Sequence, residues 1–227
     1  MPPIIELKQA SKTYLQGKLQ VHALDRLDLA INPGDFAALS GPSGSGKTTC
    51  LNLIGALDRV SAGEVWVDGV RLDSLQRTEL SRLRRDRIGF VFQSYNLIPV
   101  LSAFENTEFV LALQGRPLAE RRERSMAALK AVGLDGLEDR RPDELSGGQQ
   151  QRVAIARAIA HQPAVVLADE PTANLDSVNS ESLLDLMEQL NREQGVTFLF
   201  STHDPRVMKR ARRLFVLKDG RLERETD

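Results

Sequence analysis

The sequence predicts an α/β fold in which helices cover a mostly parallel sheet, with a β-rich region at the start of the chain and a helical insertion near its middle. Strand-like and helix-like segments alternate in the second half, which is typical of a parallel sheet with crossover helices. Several apolar runs there are short and continuous, as expected of strands that are buried on both faces. The length of 227 residues favours a single domain over residues 1–227.

The first part of the chain is rich in strand-like runs bounded by turn residues. Strands are predicted at residues 4–7, 24–31, 36–39, 63–67 and 88–92. A helix-like segment, residues 49–57, follows the third of these strands. Leucines alternate with arginines and acids over residues 74–87, which indicates a further helix.

A helical insertion is predicted at about residues 94–145, where apolar residues recur at three- and four-residue spacing between glycine breaks. After it, strands are predicted at residues 164–168, 196–201, 214–217 and 221–223. The helix between the first two of these strands is predicted over Ser177–Gln194, with Gly195 as its C-terminal cap. Asp219 and Gly220 form a two-residue hairpin signal before the last strand.

Charge and composition argue against several classes of protein. Lys plus Arg number 30 and Asp plus Glu number 31, so a net charge of -1 gives no reason to expect nucleic acid as a partner. No apolar stretch approaches the roughly 18 residues of a membrane-spanning helix, and the N-terminus lacks the build of a signal peptide. We therefore expect a cytoplasmic protein. The single cysteine, Cys50, cannot form an intramolecular disulfide and is expected to be buried.

A glycine-rich segment, residues 41–48 (GPSGSGKT), lies between the predicted strand 36–39 and the helix-like segment 49–57. This is the context that the P-loop spacing G-x-x-x-x-G-K-[ST] requires. Backbone N–H groups of such a turn face one point, where the following helix adds its positive dipole end. Lys47 supplies a cation for the outer phosphates, and the Thr48 hydroxyl can bind Mg²⁺. The loop predicts a nucleoside triphosphate site, which kinases, GTPases, helicases and transport motors all use.

Two carboxylates and a histidine follow apolar strands and should emerge at one edge of the sheet. Asp169 and Glu170 end the run that begins at residue 164, at the carboxyl edge where open α/β folds bind ligands. Successive strand residues point in opposite directions, so Asp169 can face Mg²⁺ while Glu170 polarises the attacking water. His203 lies just past the strand 196–201 and can bond a γ-phosphate oxygen or hold that water. The alternative is that these acids simply end a strand.

A second anion-binding surface is predicted at residues 145–149 (LSGGQ), which open a helix. Ser146 and the two glycines after it should leave N–H groups unpaired at the positive end of the helix dipole. Taken alone, the segment is more typical of an ordinary helix N-cap with a flexible lead-in. With the P-loop, one chain offers two candidate phosphate sites.

Taken together and in this order, the segments GPSGSGKT, Gln93, LSGGQ, VVLADE, residues 174–176 and His203 resemble the nucleotide-binding subunit of an ABC (ATP-binding cassette) ATPase. The resemblance covers essentially the whole chain. It implies a P-loop core with a mostly parallel sheet, an antiparallel β subdomain and the inserted α-helical subdomain. It also implies ATP hydrolysis with Mg²⁺ in a head-to-tail dimer, formed by two copies of the chain or with a related ATPase subunit.

The same resemblance implies particular site residues. One subunit would hold ATP through Gly41, Pro42, Ser43, Gly44, Ser45, Gly46, Lys47, Thr48 and Thr49, and the other would close over it through Ser146, Gly147, Gly148 and Gln149. Tyr14 would stack on adenine, and Asp176 would link the two composite sites. The predicted catalytic set is Glu170, His203 and Gln93, and the predicted metal ligands are Thr48, Gln93 and Asp169.

The segments around Gln93 and after the P-loop are similar to the branch that contains the lipoprotein-release, macrolide-export and cell-division ATPases. Ala173 departs from the glycine usual in that branch. Membership implies work at the cytoplasmic face of the inner membrane, with an integral membrane permease encoded separately. The apolar residues within 95–101 could receive a short helix of that permease.

Two other functions stay open on the sequence alone. One is a soluble, non-transport ABC ATPase of DNA repair or translation. Acids are interspersed among the arginines at 82–87 and 121–124, which favours solvated helix faces over nucleic-acid contacts. The other is a regulatory ATP-binding subunit that signals by dimerising.

Overall fold

The computed structural model describes residues 2–17 and 19–226. Its strands are β1 (Ile5–Gln16), β2 (Leu19–Ile31), β3 (Phe36–Ser40), β4 (Ala62–Val67), β5 (Val70–Arg71), β6 (Ile88–Val91), β7 (Val165–Asp169), β8 (Phe198–Ser201), β9 (Arg213–Lys218) and β10 (Arg221–Thr226). Its helices are α1 (Lys47–Ile54), α2 (Arg77–Arg87), α3 (Ala103–Leu113), α4 (Leu118–Ala131), α5 (Gly147–Ile159), α6 (Ser177–Gln194) and α7 (Pro205–Arg210). A 3₁₀ turn, Pro142–Glu144, precedes α5.

The strands form two sheets. The larger has the order β10-β9-β3-β8-β7-β6, and its pairs from β9 to β6 are parallel, while β10 runs antiparallel to β9. The smaller sheet is antiparallel and has the order β2-β1-β4-β5. The predicted α/β fold, with a mostly parallel sheet and an antiparallel β subdomain, is therefore confirmed.

Strand β3 shows why the centre of the larger sheet is apolar on both faces. Phe36 and Ala38 belong to a core cluster that includes residues of α5 and α6, whereas Ala37 and Leu39 belong to a second cluster with residues of α1, β1 and β2. Successive strand residues point to opposite faces, so a strand that is covered on both sides must be continuously apolar. This packing fixes where β3 ends, and the P-loop begins there.

The helical insertion contains α3 and α4, which pack on α5 through buried apolar residues that include Leu111, Leu129 and Val153. These helices lie within the predicted range of about 94–145, and the division of residues 1–227 into one domain with this insertion stays a prediction. None of the helices in the described ranges is long and apolar enough to cross a membrane.

Several element bounds differ from the predicted ones. The strands predicted at 4–7 and 24–31 are parts of the longer β1 and β2, which pair antiparallel almost to their connecting turn. The extension has exposed ends, Leu15 and Leu19 being 74% and 72% exposed, so an apolar pattern could not reveal it. Helix α7 was not predicted, although Asp204 caps it and Pro205 is its first residue, both of which are helix-start signals.

Candidate functional site

The P-loop follows β3 and needs glycine at two of its positions. Gly41 has φ of 140°, and a Cβ atom there would lie 2.1 Å from the carbonyl oxygen of Leu217. Gly46 has φ of 103°, and its Cβ atom would lie 2.5 Å from the carbonyl oxygen of Ala23. Both values of φ are in the region that favours glycine. One side of the loop thus packs closely against the neighbouring backbone, and its other side lines a cavity.

Helix α1 begins at Lys47 without any side-chain cap. Its first N–H groups are therefore available to a ligand at the positive end of the helix dipole. The Lys47 Nζ atom donates to the carbonyl oxygens of Gly41 at 2.8 Å and Pro42 at 3.0 Å, which leaves one of its three N–H bonds for a phosphate. The buried Ser45 Oγ has no partner in the described structure. An unpartnered hydroxyl, a free ammonium N–H and bare helix N–H groups fit a phosphate group.

The P-loop forms one wall of an open cavity of about 690 Å³. The cavity is lined by the P-loop residues 41–49 and by Tyr14, Val21, His22, Ala23, Gln93, Asp169, Glu170, Ser201 and His203. It brings together every predicted nucleotide, metal and catalytic residue except Ser146, Gly147, Gly148 and Gln149. Tertiary structure thus separates the predicted site residues into two groups.

Asp169 ends β7 at the floor of this cavity, beside the P-loop. Burial raises the pKa of its carboxyl group, and the positive charge of Lys47 opposes that shift. A carboxylate that has lost its water stabilises a nearby cation. Together with the oxygen atoms of Thr48 and Gln93, Asp169 offers the hard oxygen ligands that Mg²⁺ prefers. These three residues fit a magnesium ion.

Glu170 has a left-handed backbone, with φ of 46°. Its Oε1 atom accepts hydrogen bonds from the His203 backbone N–H at 3.1 Å and from the His203 ring at 2.6 Å. Its Oε2 atom accepts a hydrogen bond from the Thr202 hydroxyl at 3.0 Å. Such a backbone is costly for a residue other than glycine. The sequence did not single out Thr202, because a threonine between a strand and a histidine carries no motif of its own.

His203 donates through Nδ1, because the carboxylate of Glu170 can only accept. Its neutral ring would then have only an acceptor at Nε2. A bond from Nε2 to a phosphate oxygen requires a protonated ring or a turn away from Glu170. The His203 side chain is 76% exposed, so it has room to turn.

Tyr14 lines the cavity and is held at its hydroxyl group, which donates to Asp58 Oδ2 at 2.8 Å. Lys12 bonds the other oxygen of Asp58 at 2.6 Å and lies 4.8 Å from the centre of the Tyr14 ring. Neither Lys12 nor Asp58 was predicted. Asp58 lies 44 residues from Tyr14, and no local sequence signal connects them.

Gln93 and Asp176 are both engaged by asparagines. The Gln93 carbonyl oxygen accepts from Asn174 Nδ2 at 2.9 Å. Asp176 caps α6 by accepting from the Asn179 N–H at 2.8 Å, and its second oxygen accepts from Asn179 Nδ2 at 2.6 Å. These bonds lower the pKa of Asp176, so it stays a carboxylate. Its predicted link between two composite sites stays a prediction.

The LSGGQ segment opens α5 outside the P-loop cavity. Ser146 Oγ accepts from the Gln149 N–H at 3.3 Å, and Gln149 Oε1 accepts from the Ser146 N–H at 2.9 Å. This capping box bonds the N–H groups of Ser146 and Gln149 within the segment and does not involve those of Gly147 and Gly148. The expectation of unpaired N–H groups is therefore wrong for Ser146 and stays a prediction for the two glycines. The spacing of serine and glutamine three residues apart was the sequence signal for the capping box.

A second concavity, of about 370 Å³, lies away from the P-loop and is mainly apolar. Its lining includes Leu57, Phe90, Phe92, Val110, Leu113 and His161. The lining includes none of the apolar residues predicted as a socket, which are Tyr95, Leu97, Ile98, Pro99, Val100 and Leu101. Leu97 instead packs against the core, and Val100 is 72% exposed outside this groove. We call this concavity the apolar groove.

Comparison with known proteins gives one consistent family. The family model described as ABC transporter matches residues 24–173. The uncharacterized ABC transporter ATP-binding protein MJ0796 of Methanocaldococcus jannaschii is 47% identical over 98% of this chain and 96% of its own length. The lipoprotein-releasing system ATP-binding protein LolD of Anaeromyxobacter dehalogenans is 46% identical over 97% and 92%, respectively.

Two further matches concern a longer protein and a solved structure. The macrolide export ATP-binding/permease protein MacB of Syntrophobacter fumaroxidans is 46% identical, and this chain spans 32% of its length. A dimeric structure of the ATP-binding cassette MJ0796 in a post-hydrolysis state, bound to ADP and Pi, superposes with a TM-score of 0.89 at 46% identity, covering 98% of both chains.

The fold and the cavity define a P-loop protein that binds a nucleoside phosphate at the carboxyl edge of a parallel sheet. More particularly, the chain belongs to the ABC transporter family. The predictions of this family and of an ATPase are confirmed.

Proposed function

We propose that the chain is the ATP-hydrolysing subunit of a membrane complex and works as a head-to-tail homodimer. The observation that carries the proposal is the separation of the predicted site: the P-loop, Asp169 and Glu170 share one cavity, whereas Ser146–Gln149 lies elsewhere. A second copy can supply the missing segment. The dimeric ATP-binding cassette bound to ADP and Pi supports this arrangement.

In the proposed mechanism, the P-loop N–H groups and Lys47 hold the phosphates, and Tyr14 receives the adenine ring. Thr48, Gln93 and Asp169 would hold Mg²⁺, which neutralises phosphate charge when bound. Glu170 would take a proton from the attacking water as the water oxygen bonds to the γ-phosphorus and the bond from that phosphorus to the bridging oxygen breaks, giving ADP and phosphate.

His203 and the second copy would complete the charge stabilisation around the γ-phosphate. His203 would turn from Glu170 to donate to a phosphate oxygen, which its exposure permits. Ser146, Gly147, Gly148 and Gln149 of the second copy would cover the phosphates with the start of α5. Closure would therefore require ATP, and release would require its hydrolysis.

The apolar groove is proposed to receive a short helix from a separately encoded integral membrane permease. Leu57 and Leu113 both line this groove and are 51% and 56% exposed, so together they offer apolar surface to a partner. A helix in an apolar groove is a common recognition mode. The subunit would then sit on the cytoplasmic face of the inner membrane. Relatives in macrolide export and lipoprotein release support export or lipoprotein release as the work performed.

Glu170→Gln tests the hydrolytic proposal. We expect turnover to fall by about 100-fold or more, since the general base is lost, while ATP remains bound and the dimer accumulates. Steady-state ATPase rates and size-exclusion chromatography with ATP measure both. Glu193→Gln, at an exposed glutamate near the end of α6, is the matched control. Near-normal hydrolysis by Glu170→Gln would remove Glu170 from this task.

Leu113→Glu tests the groove. A charge in the groove should abolish copurification of the subunit with membranes and leave the ATPase activity of the free subunit unchanged. Leu118→Glu is the control, because Leu118 is 67% exposed and does not line the groove. Equal membrane recovery of both variants would contradict docking in this groove.

A further inference from the structure

Thr202 lies between β8 and the predicted phosphate-contacting His203, and it is completely buried. Its hydroxyl oxygen has two partners: it accepts from the Asp204 backbone N–H at 2.9 Å and lies 3.0 Å from Glu170 Oε2. No other hydroxyl within hydrogen-bond distance of Glu170 is present in the described residues. The buried threonine therefore contacts the residue proposed to activate water.

The direction of the hydroxyl proton follows from the chemistry of these partners. A hydroxyl group has one proton to donate. An amide N–H can only donate, so the Asp204 N–H places its hydrogen on the Thr202 oxygen. An ionised carboxylate can only accept, so the single proton of Thr202 must point to Glu170. One partner can only donate and the other can only accept, so a single orientation of the Thr202 hydroxyl forms both hydrogen bonds.

The loop that carries Thr202 is itself held in place. Asp204 accepts from the Arg206 backbone N–H at 2.9 Å and from its Nη2 atom at 2.7 Å. The Thr172 hydroxyl donates to Asp204 Oδ2 at 2.9 Å, which joins the segment after β8 to the segment after Glu170. These hydrogen bonds hold the loop in place, so the Thr202 hydroxyl that donates to Glu170 has a fixed position.

The two oxygens of Glu170 consequently have unequal neighbours. Oε2 is bonded to the buried Thr202, whereas Oε1 is bonded to the exposed side chain of His203 and to its N–H. When the His203 ring turns toward a phosphate, Oε1 loses a partner and Oε2 keeps its own. One oxygen is then available to receive a proton while the other holds the carboxylate in position.

We propose that Thr202 is a positioning residue for Glu170, which fixes its carboxylate so that Oε1 faces the attacking water. This inference rests on the proposed task of Glu170 as general base. Removing the hydroxyl lets the carboxylate rotate, so the water is misaligned in the transition state and ATP binding is untouched. The loss should therefore appear in kcat and not in KM.

Thr202→Val, which keeps the shape and removes the hydroxyl, tests the proposal. We expect kcat to fall about 10-fold with KM for ATP within about two-fold of the wild type, since an oriented proton acceptor contributes only in the transition state. Thr202→Ser should restore kcat to within about three-fold. Should the valine variant be insoluble, Thr202→Ala is measured in its place.

Two controls separate positioning from a general loss of structure. Thr197→Val removes another buried threonine hydroxyl, which accepts from the Gly34 N–H at 2.9 Å far from the site, and should leave kcat within about two-fold. In a Glu170→Gln background, Thr202→Val should add no further loss, because residues that act as a unit are not additive.

The outcomes are distinct. A kcat within two-fold of the wild type for Thr202→Val, an equal fall for Thr197→Val, or a further 10-fold fall in the Glu170→Gln background would each overturn the positioning task. Near-normal turnover by Glu170→Gln alone would instead overturn the proposed function on which it rests.

Discussion

Two glycine-rich helix starts in this chain differ in how their N–H groups are used. Helix α1 begins after Gly46 with no side-chain cap, and its N–H groups open into the P-loop cavity. Helix α5 begins after Ser146 with a complete capping box. The first start leaves its N–H groups to a nucleotide, whereas the second has a capping box that bonds the N–H groups of Ser146 and Gln149 and so fixes the helix start before any nucleotide binds. The two helix starts are similar in composition. The first is suited to binding a nucleotide within its own chain, and the second to contacting a nucleotide that a second chain holds.

Lys47→Ala should have the largest effect, because it acts on the start that binds within the chain. Losing the ammonium group from the phosphate site should weaken ATP binding and lower turnover by about 100-fold or more. Equilibrium binding of a fluorescent ATP analogue and ATPase rates measure both losses. Unchanged ATP affinity would show that the Lys47 ammonium group does not bind the phosphates.

Ser146→Ala should have the second largest effect and should separate the two starts. Turnover should fall about 10-fold with ATP affinity of the monomer unchanged, because the segment acts in the partner's site. Loss of the cap should also lower the free energy of unfolding by about 1 kcal/mol. Calorimetric ATP titration of dilute protein and urea unfolding measure these. A matching loss of monomer ATP affinity would contradict the division between the helix starts.

A third prediction concerns His161, which lies two residues after the end of α5 and whose pKa is lowered by burial to about 4. The unfolded chain, with an ordinary histidine pKa near 6.5, takes up a proton first as the pH falls. Stability is therefore lost between pH 6.5 and 4, by about 1 kcal/mol at pH 5.5 relative to pH 7.5. Urea unfolding at both pH values should show this loss, and His161→Gln should reduce it. An unchanged dependence in that variant would assign the loss to other groups.

Tyr14→Phe should have the smallest effect, and it tests how much of the ATP affinity on the P-loop side comes from contact with the base. Without its bond to Asp58 the ring remains but is less well oriented, so ATP affinity should fall about three-fold, the size expected for one modest hydrogen bond. Inorganic tripolyphosphate, which lacks the base, should bind equally to both proteins. Equal weakening for tripolyphosphate would mean that Tyr14 supports the loop and not the base.

Local signals predicted some elements completely. Helix α6 has the predicted bounds, because Asp176 caps its first turn and Gly195 ends it with φ of 67°. The P-loop was predicted equally well, because its backbone conformation requires the glycines that its motif contains. By contrast, the lengths of β1 and β2 come from their mutual antiparallel pairing, which exposed residues such as Leu15 and Leu19 do not reveal.

The sequence by itself determined the family, the fold class and the class of ligand, because these depend on motifs of a few residues whose backbone geometry is local. Only the tertiary structure decided which motifs share a cavity. It joins Glu170 to Thr202 and His203 across 32 and 33 residues, and Tyr14 to Asp58 across 44. It also leaves Ser146 outside that cavity. Such contacts follow from the pairing of β7 with β8 and from the packing of the two sheets against α1. No single segment of the sequence is sufficient to predict that packing.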